Sequence, residues 1–308
     1  MRIRSLLPPL LLAVGTLWAQ DVPRPKPVVA CTFDLEAMLQ LWLEQMPGTA
    51  PNANLELRGG KGNDPELALI EGRSSLVAIN RELKPEETAA FTAKWGYAPT
   101  RMAIAEDAVV ILVQKNNPLK SLKIEQLDAI YTTTRYQGWP KEIDTWGDLG
   151  LIGNNWSNRP ITCLDHPDGS GIRDFFQKNI SKGGKHKADN IINMDSMTMV
   201  EDLLSNQAAI AYGSIQEVYN NLRTIPITPL GGKDPVEPSF KAVANGEYPL
   251  THMVYFYFNR GPAKPMDPVL MGFLRYVFSA PGQKMLTPMG LVPLPQDLLI
   301  MNKKRLDS

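Results

Sequence analysis

The sequence predicts an α/β protein with a central, mostly parallel sheet. Three observations predict it. Short apolar runs alternate with amphipathic segments along most of the chain. One run, residues 108–113 (AVVILV), is almost wholly apolar, as in a strand covered on both faces. Strand-like runs also end in turn-rich loops that lead straight into helix starts, at residues 31–33, 60–63 and 168–171.

In chain order, residues 28–32 read as a buried strand and 34–46 as a helix with Leu35, Met38, Leu39, Leu41, Trp42 and Met46 on roughly one side. Residues 55–58 form a short strand. Pro65 suits the first turn of a helix reaching about residue 71. A strand at 76–79, a helix at 85–95 and two strands at 102–105 and 108–113 follow. A region rich in Pro, Gly and Trp (116–160) holds one helix near 123–131. Next come a strand at 161–164, a helix after Ser170, a helix at 197–205 and a strand at 208–212. Residues 226–250 read as loop-rich. A strand at 254–258, an apolar helix at 269–278, a continuation at 282–287 and the run 290–294 close the fold.

The chain has 308 residues, enough for about two domains. Its 32 basic and 32 acidic residues leave no net charge, which argues against nucleic acid as the main partner. Arg2 and Arg4 precede an apolar stretch, residues 6–18, too short to span a bilayer. Residues 1–19 are therefore expected to be a signal peptide and 20–27 a leader, giving an exported, periplasmic or otherwise extracytoplasmic protein. Cys31 and Cys163 lie in strand-like runs, and the pattern leaves open whether they pair. His166, His186 and His252 lack metal-ligand spacing, so neither metal nor cofactor is expected.

The stretch DGSGIRDFF, residues 168–176, is the sharpest chemical signal. Free amides at a helix start, with the Ser170 hydroxyl, make a cradle for an anion. Ser170 lacks the full G-x-S-x-G context of a nucleophile elbow, so no catalysis is expected. Helix starts after 33, 63 and 171, if aimed at one cleft, would hold an oxyanion.

Several ordered segments carry a family resemblance: Thr-Phe after the first strand, the GxG loop at 60–62, AINREL at 78–83, AEDAVVILVQKNNPL at 105–119, EQLDAIY at 125–131, TWGDLG at 145–150, DGSGIRDFF, AIAYGSI at 209–215 and the closing FLRYVFSAPGQKMLTPMGLVPLP. With them the chain resembles the periplasmic phosphate-binding proteins of phosphate ABC transporters and their wider substrate-binding family. The resemblance implies a two-lobed periplasmic-binding-protein-like fold (type II), with residues 28–106 and 225–308 in one lobe and 107–224 in the other. It implies a monomer that captures phosphate or a related oxyanion between the lobes and passes it to ABC importer membrane subunits. It places Thr32, Phe33, Asn63, Asn80, Arg81, His166, Ser170, Gly171, Ile172 and Arg173 at the ligand. Four of these depart from the family pattern: Asn63 stands for a serine, Asn80 for an aspartate, His166 for an arginine and Ile172 for a threonine. Arg81 is the expected charged anchor, with Arg173 as another source of positive charge. The departures motivate an alternative, a binding-fold adaptor with no small-anion ligand.

Overall fold

The alternation folds as expected, with most strands gathered into one large sheet and two in a small second one. The structure, a computed structural model, describes residues 26–46, 55–59, 64–168, 170–188, 191–193, 196–215, 218, 221–262 and 264–307. The signal peptide and most of the leader lie outside them.

Strands β1 (Val28–Cys31), β2 (Glu56–Arg58) and β3 (Leu76–Ile79) alternate with helices α1 (Glu36–Gln45), α2 (Pro65–Glu71) and α3 (Pro85–Trp95). Helix α2 starts where the sequence says it should. Pro65 needs no amide partner there, and the Asp64 carboxylate accepts from Leu67 N at 2.7 Å. Gly72 ends it at φ 78°, a left-handed position that suits glycine.

Strand β4 (Thr100–Gln114) follows, then β5 (Leu122–Lys123), α4 (Ile124–Tyr131), β6 (Thr162–Asp165), α5 (Gly171–Asn179), β7 (Ile191–Asn193), α6 (Ser196–Ser205), β8 (Ala209–Ser214), β9 (Leu222–Ile225) and β10 (Ile227–Thr228). Helix α7 (Phe240–Ala244), strand β11 (Thr251–Phe258) and helices α8 (Pro268–Val277), α9 (Ala280–Lys284) and α10 (Gln296–Asp307) complete the order.

The sheet runs β2-β1-β3-β11-β4-β8-β6-β7, with β9 also on β4. Both flanks are parallel and the middle is antiparallel, where β11 pairs with β3 and β4, and β4 with β8. The predicted strands at 102–105 and 108–113 are one strand of 15 residues. Glu106 and Asp107 break the apolar pattern without breaking the backbone. Glu106 bridges to Val292, and Asp107 sits opposite His252 on β11.

Strand β4 joins two cores. Its first half, with Met102, Ile104 and Ala105, packs with Val29, Leu39, Trp42, Phe256 and Phe273. Its second half, Ala108–Val113, packs with Tyr131, Trp146, Phe176 and Tyr212. These cores are the two lobes of the expected fold.

Ile227, Ala242, Val243, Tyr248 and Leu250 belong to the second core, not the first. The physical reason is local pairing. Strand β10 pairs with β5, the Val109 amide donates to Leu250 O at 2.8 Å, and the Tyr248 hydroxyl donates to Val109 O at 3.0 Å. The region read as loop-rich thus carries β10 and α7. Cys31 and Cys163 are free thiols buried in different cores. Among the described residues no helix is long and apolar enough to cross a membrane.

Candidate functional site

Strands β1 and β3 are parallel neighbours, with Cys31 opposite Ala78. Thr32 and Asn80 therefore emerge side by side at the carboxyl ends of adjacent strands, where ligands bind in such sheets. Thr32 N still donates to Ala78 O at 3.2 Å. Asn80 Nδ2 donates to Asp34 Oδ2 at 2.7 Å. Its Oδ1 lies against Gly171, the first residue of α5, on the other lobe. A Cβ at Gly171 would overlap Asn80 Oδ1 and sit 3.0 Å from its Cγ. Glycine is needed here for close approach.

Helix α5 begins with Ser170 at the cap position, but the Ser170 side chain caps nothing. Its first amides point out of the helix without intrahelical acceptors, and the helix dipole adds partial positive charge. Three buried side-chain oxygens have no hydrogen-bond partner among the described residues at this junction: Thr32 Oγ1, Asn80 Oδ1 and Ser170 Oγ. Leaving each unmade costs about 1–3 kcal/mol. A bound polar ligand would satisfy all three.

The arginines are placed differently from the sequence expectation. Arg81 binds carboxylates rather than the cradle: its Nη2 donates to Glu66 Oε1 and its Nη1 to Glu87 Oε2, each at 2.8 Å. Burial would by itself lower the Arg81 pKa, but these carboxylates outweigh it and raise it. Arg173 runs beneath the loop. Its Nη1 donates to Asp165 Oδ2 and, at 2.7 Å, to His166 O, and its Nε lies 3.0 Å from Asp168 Oδ1.

Asp165 is the hub of that underside, with no exposed surface. It accepts from the His166 amide at 2.9 Å, from the Tyr212 hydroxyl, and from His186 Nδ1 at 3.0 Å. Burial would raise its carboxyl. The bonds from His186 and Tyr212 and the Arg173 charge prevail and hold it below its ordinary value. His166, expected at the ligand, faces inward. Its Nε2 donates to Tyr212 O at 2.8 Å and its ring packs on Tyr212. Burial lowers its pKa, so it is neutral at pH 7. Ile172 packs against the second core and supplies no hydroxyl.

The structure thus brings together Thr32, Asn80, Ser170 and Gly171. His166 bonds to Tyr212, Arg81 to Glu66 and Glu87, and Arg173 to Asp165 and His166 O. Asn63 and the Phe33 side chain lie outside the described residues.

Sequence reasoning missed Asp34, Asp107, His252 and Asp174. Asp34 was within reach, two residues after Thr32 in the same strand-end loop. Asp107 was signalled as a charge inside the longest apolar strand. His252 Nε2 lies 3.6 Å from Asp107 Oδ2, and Ser214 Oγ donates to Asp107 Oδ1 at 3.1 Å. Burial pushes Asp107 up to about 7 and His252 down to about 4. Between those values both are neutral.

Two further contacts cross between the lobes. Lys84 Nζ lies 2.9 Å from Asp174 Oδ2, and the Phe175 and His252 rings are 5.2 Å apart. Beside them opens a cavity of about 720 Å³, lined from one lobe by Asn80, Lys84 and Tyr255 and from the other by Asp174, Phe175 and Lys178. Among the described residues no cluster of His, Cys, Asp and Glu could hold a metal ion.

Residues 23–281 match the family described as a PBP superfamily domain. The chain is 32% identical over 261 residues to the phosphate-binding protein PstS of Pseudomonas aeruginosa, covering 85% of this chain and 80% of that one. It is 26% identical over 243 residues to the PstS of Staphylococcus saprophyticus, covering 78% and 71%. Among solved structures it resembles an ABC-type phosphate transport receptor from Vibrio cholerae (TM-score 0.65, 18% identity), over 88% of this chain and all of that one. It also resembles a phosphate-binding protein from Stenotrophomonas maltophilia (TM-score 0.67, 12% identity), over 91% and 93%.

Proposed function

Because this chain belongs to the PBP superfamily, in the branch of the phosphate-binding proteins, we propose that it is an exported solute-binding protein that captures phosphate or a related oxyanion between its lobes for an ABC importer. It acts outside the cytoplasm as a monomer and performs no covalent chemistry. One observation carries the reading: Thr32 Oγ1, Asn80 Oδ1 and Ser170 Oγ are buried and have no partner among the described residues near the start of α5.

In this reading Thr32 and Asn80 come from the first lobe, and Ser170, Gly171 and the α5 amides from the second. The anion is neutralised by backbone dipoles and hydroxyls in a site shielded from water. Lobe closure completes the donor set, as in other hinged binding folds. Asp165 and Arg173 hold the loop in shape, and Lys84 with Asp174 spans the lobes.

A ligand that binds only the native state raises its stability, by about 2.7 kcal/mol at a hundredfold excess over Kd. Melting the mature chain with and without millimolar phosphate, arsenate or sulfate tests this. A rise in Tm with at least one of them is expected; no rise with any sinks the reading.

A second reading, an adaptor without a small ligand, draws on Arg81 and Arg173, both ion-paired to carboxylates. It predicts a folded chain that responds to none of the three anions.

A further inference from the structure

We propose that Asp34 fixes the polarity of the Asn80 amide, so that an acceptor faces the bound anion and the site selects an oxyanion that carries its own proton. This rests on the oxyanion reading above and narrows it.

An amide side chain presents a donor at one end and an acceptor at the other. Which end faces a ligand is set by what holds the opposite end. Here Nδ2 donates to Asp34 Oδ2 at 2.7 Å. Turning the amide over would set Asn80 Oδ1 against that carboxylate oxygen, two acceptors in contact. The carboxylate therefore holds Oδ1 toward Gly171, at the start of α5. Asn80 is 9% exposed, and Oδ1 has no partner among the described residues.

The neighbours of Oδ1 are suited to ligand oxygens. Thr32 Oγ1 and Ser170 Oγ are buried and unpartnered, and the first amides of α5 are donors only. A tetrahedral oxyanion seated there receives hydrogen bonds from the two hydroxyls and the amides and meets, among these groups, one that can only accept, Asn80 Oδ1. Only an O–H on the ligand satisfies that acceptor. Phosphate and arsenate keep at least one proton near neutrality; sulfate keeps none. Because the amide is uncharged, it does not repel a dianion that still bears a proton. Asp34 touches the amide and acts as a positioning residue, while Asn80 contacts the ligand.

The test is titration calorimetry of the mature chain at pH 7 with phosphate, arsenate and sulfate. Wild type is expected to bind phosphate and arsenate and to bind sulfate at least about 100-fold more weakly, since sites built to pair with a ligand hydroxyl reject analogues lacking it strongly. In Asp34→Ala the amide is free to present its NH₂ group, and the phosphate-to-sulfate gap is expected to shrink about tenfold or more. A merely structural role would change both affinities together and leave their ratio alone. The double variant Asp34→Ala, Asn80→Asp restores an acceptor and is expected to reopen the gap. Melting curves check that the variants fold. Wild type binding sulfate within about tenfold of phosphate overturns the proposal, as does an unchanged ratio in Asp34→Ala. Binding of none of the three anions overturns the oxyanion reading itself, and this proposal with it.

Discussion

Asp107 and His252 face each other on the central strands, and their protonation makes a prediction that separates them. In the unfolded chain Asp titrates near 3.9 and His near 6.5. In the folded chain burial raises Asp107 to about 7 and lowers His252 to about 4, with the Asp34 charge acting on both. Between pH 4 and 6.5 the unfolded pair carries one proton, on His252. The folded pair also carries one, on Asp107. Stability changes with pH only when the two states bind different numbers of protons. The pair therefore adds no slope in this window, whichever partner holds the folded-state proton.

Removing one partner exposes the other. In Asp107→Asn the folded His252 stays neutral while the unfolded one is charged. Its folded pKa is depressed, so the stability it contributes is present above about pH 6.5 and lost as pH falls toward 4. In His252→Gln the folded Asp107 stays protonated while the unfolded one ionises. Its folded pKa is raised, so its contribution is present below about pH 4 and lost as pH rises toward 7. At about 1.4 kcal/mol per pH unit, each change approaches 3–4 kcal/mol across its window. Urea unfolding between pH 4.5 and 7.5, taken as variant minus wild type, reads both slopes. Opposite signs are expected. Slopes of the same sign, or none in either variant, refute the burial argument.

Other outcomes follow from the same geometry. Arg173→Leu leaves the fully buried Asp165 without its guanidinium, and is expected to cost about 3–5 kcal/mol, seen as a lowered urea midpoint; loss of anion binding at unchanged stability would instead make Arg173 a ligand. Gly171→Ala drives a methyl into the Asn80 amide and should weaken phosphate binding at least tenfold by calorimetry, with a stability loss of about 1–3 kcal/mol. Ser170→Ala and Thr32→Val should each weaken binding about 5- to 30-fold without lowering Tm, because each removes a donor that nothing among the described residues uses. His166→Gln should leave the pH profile of binding unchanged, since His166 is buried, neutral and bonded to Tyr212 O.

The fold was largely legible because its signals are local. Apolar runs, Pro65 at a helix start and the Gly-Ser-Gly turn each act within a few residues. The merger of two predicted strands into β4 was not, because Glu106 and Asp107 are tolerated through Val292, His252 and Ser214, far along the chain. The place of Tyr248 and Leu250 in the second core was hidden for the same reason, since they join it through bonds to Val109. At the site, Ser170 and Gly171 were expected from the helix-start pattern and Thr32 and Asn80 from the family resemblance, and the structure sets Asn80 against Gly171. The ion pairs of Arg81 and Arg173 were not legible, because an arginine near a cleft looks the same in sequence whether its guanidinium meets a ligand or Glu66, Glu87 and Asp165. Asp34 escaped because its effect is indirect, through the amide it orients.

Strand β4 has a consequence for how the molecule comes apart. Met102, Ile104 and Ala105 are cemented into one core, and Ala108 to Val113 into the other, along one unbroken ladder. Melting either core strips the other of a central strand and the pairing partners along it. The lobes should therefore denature together, with fluorescence and circular dichroism tracing one coincident transition and calorimetric and van't Hoff enthalpies agreeing. The freedom to close on a ligand then lies in bending of the shared ribbon, while independent unfolding of the two halves is denied to it.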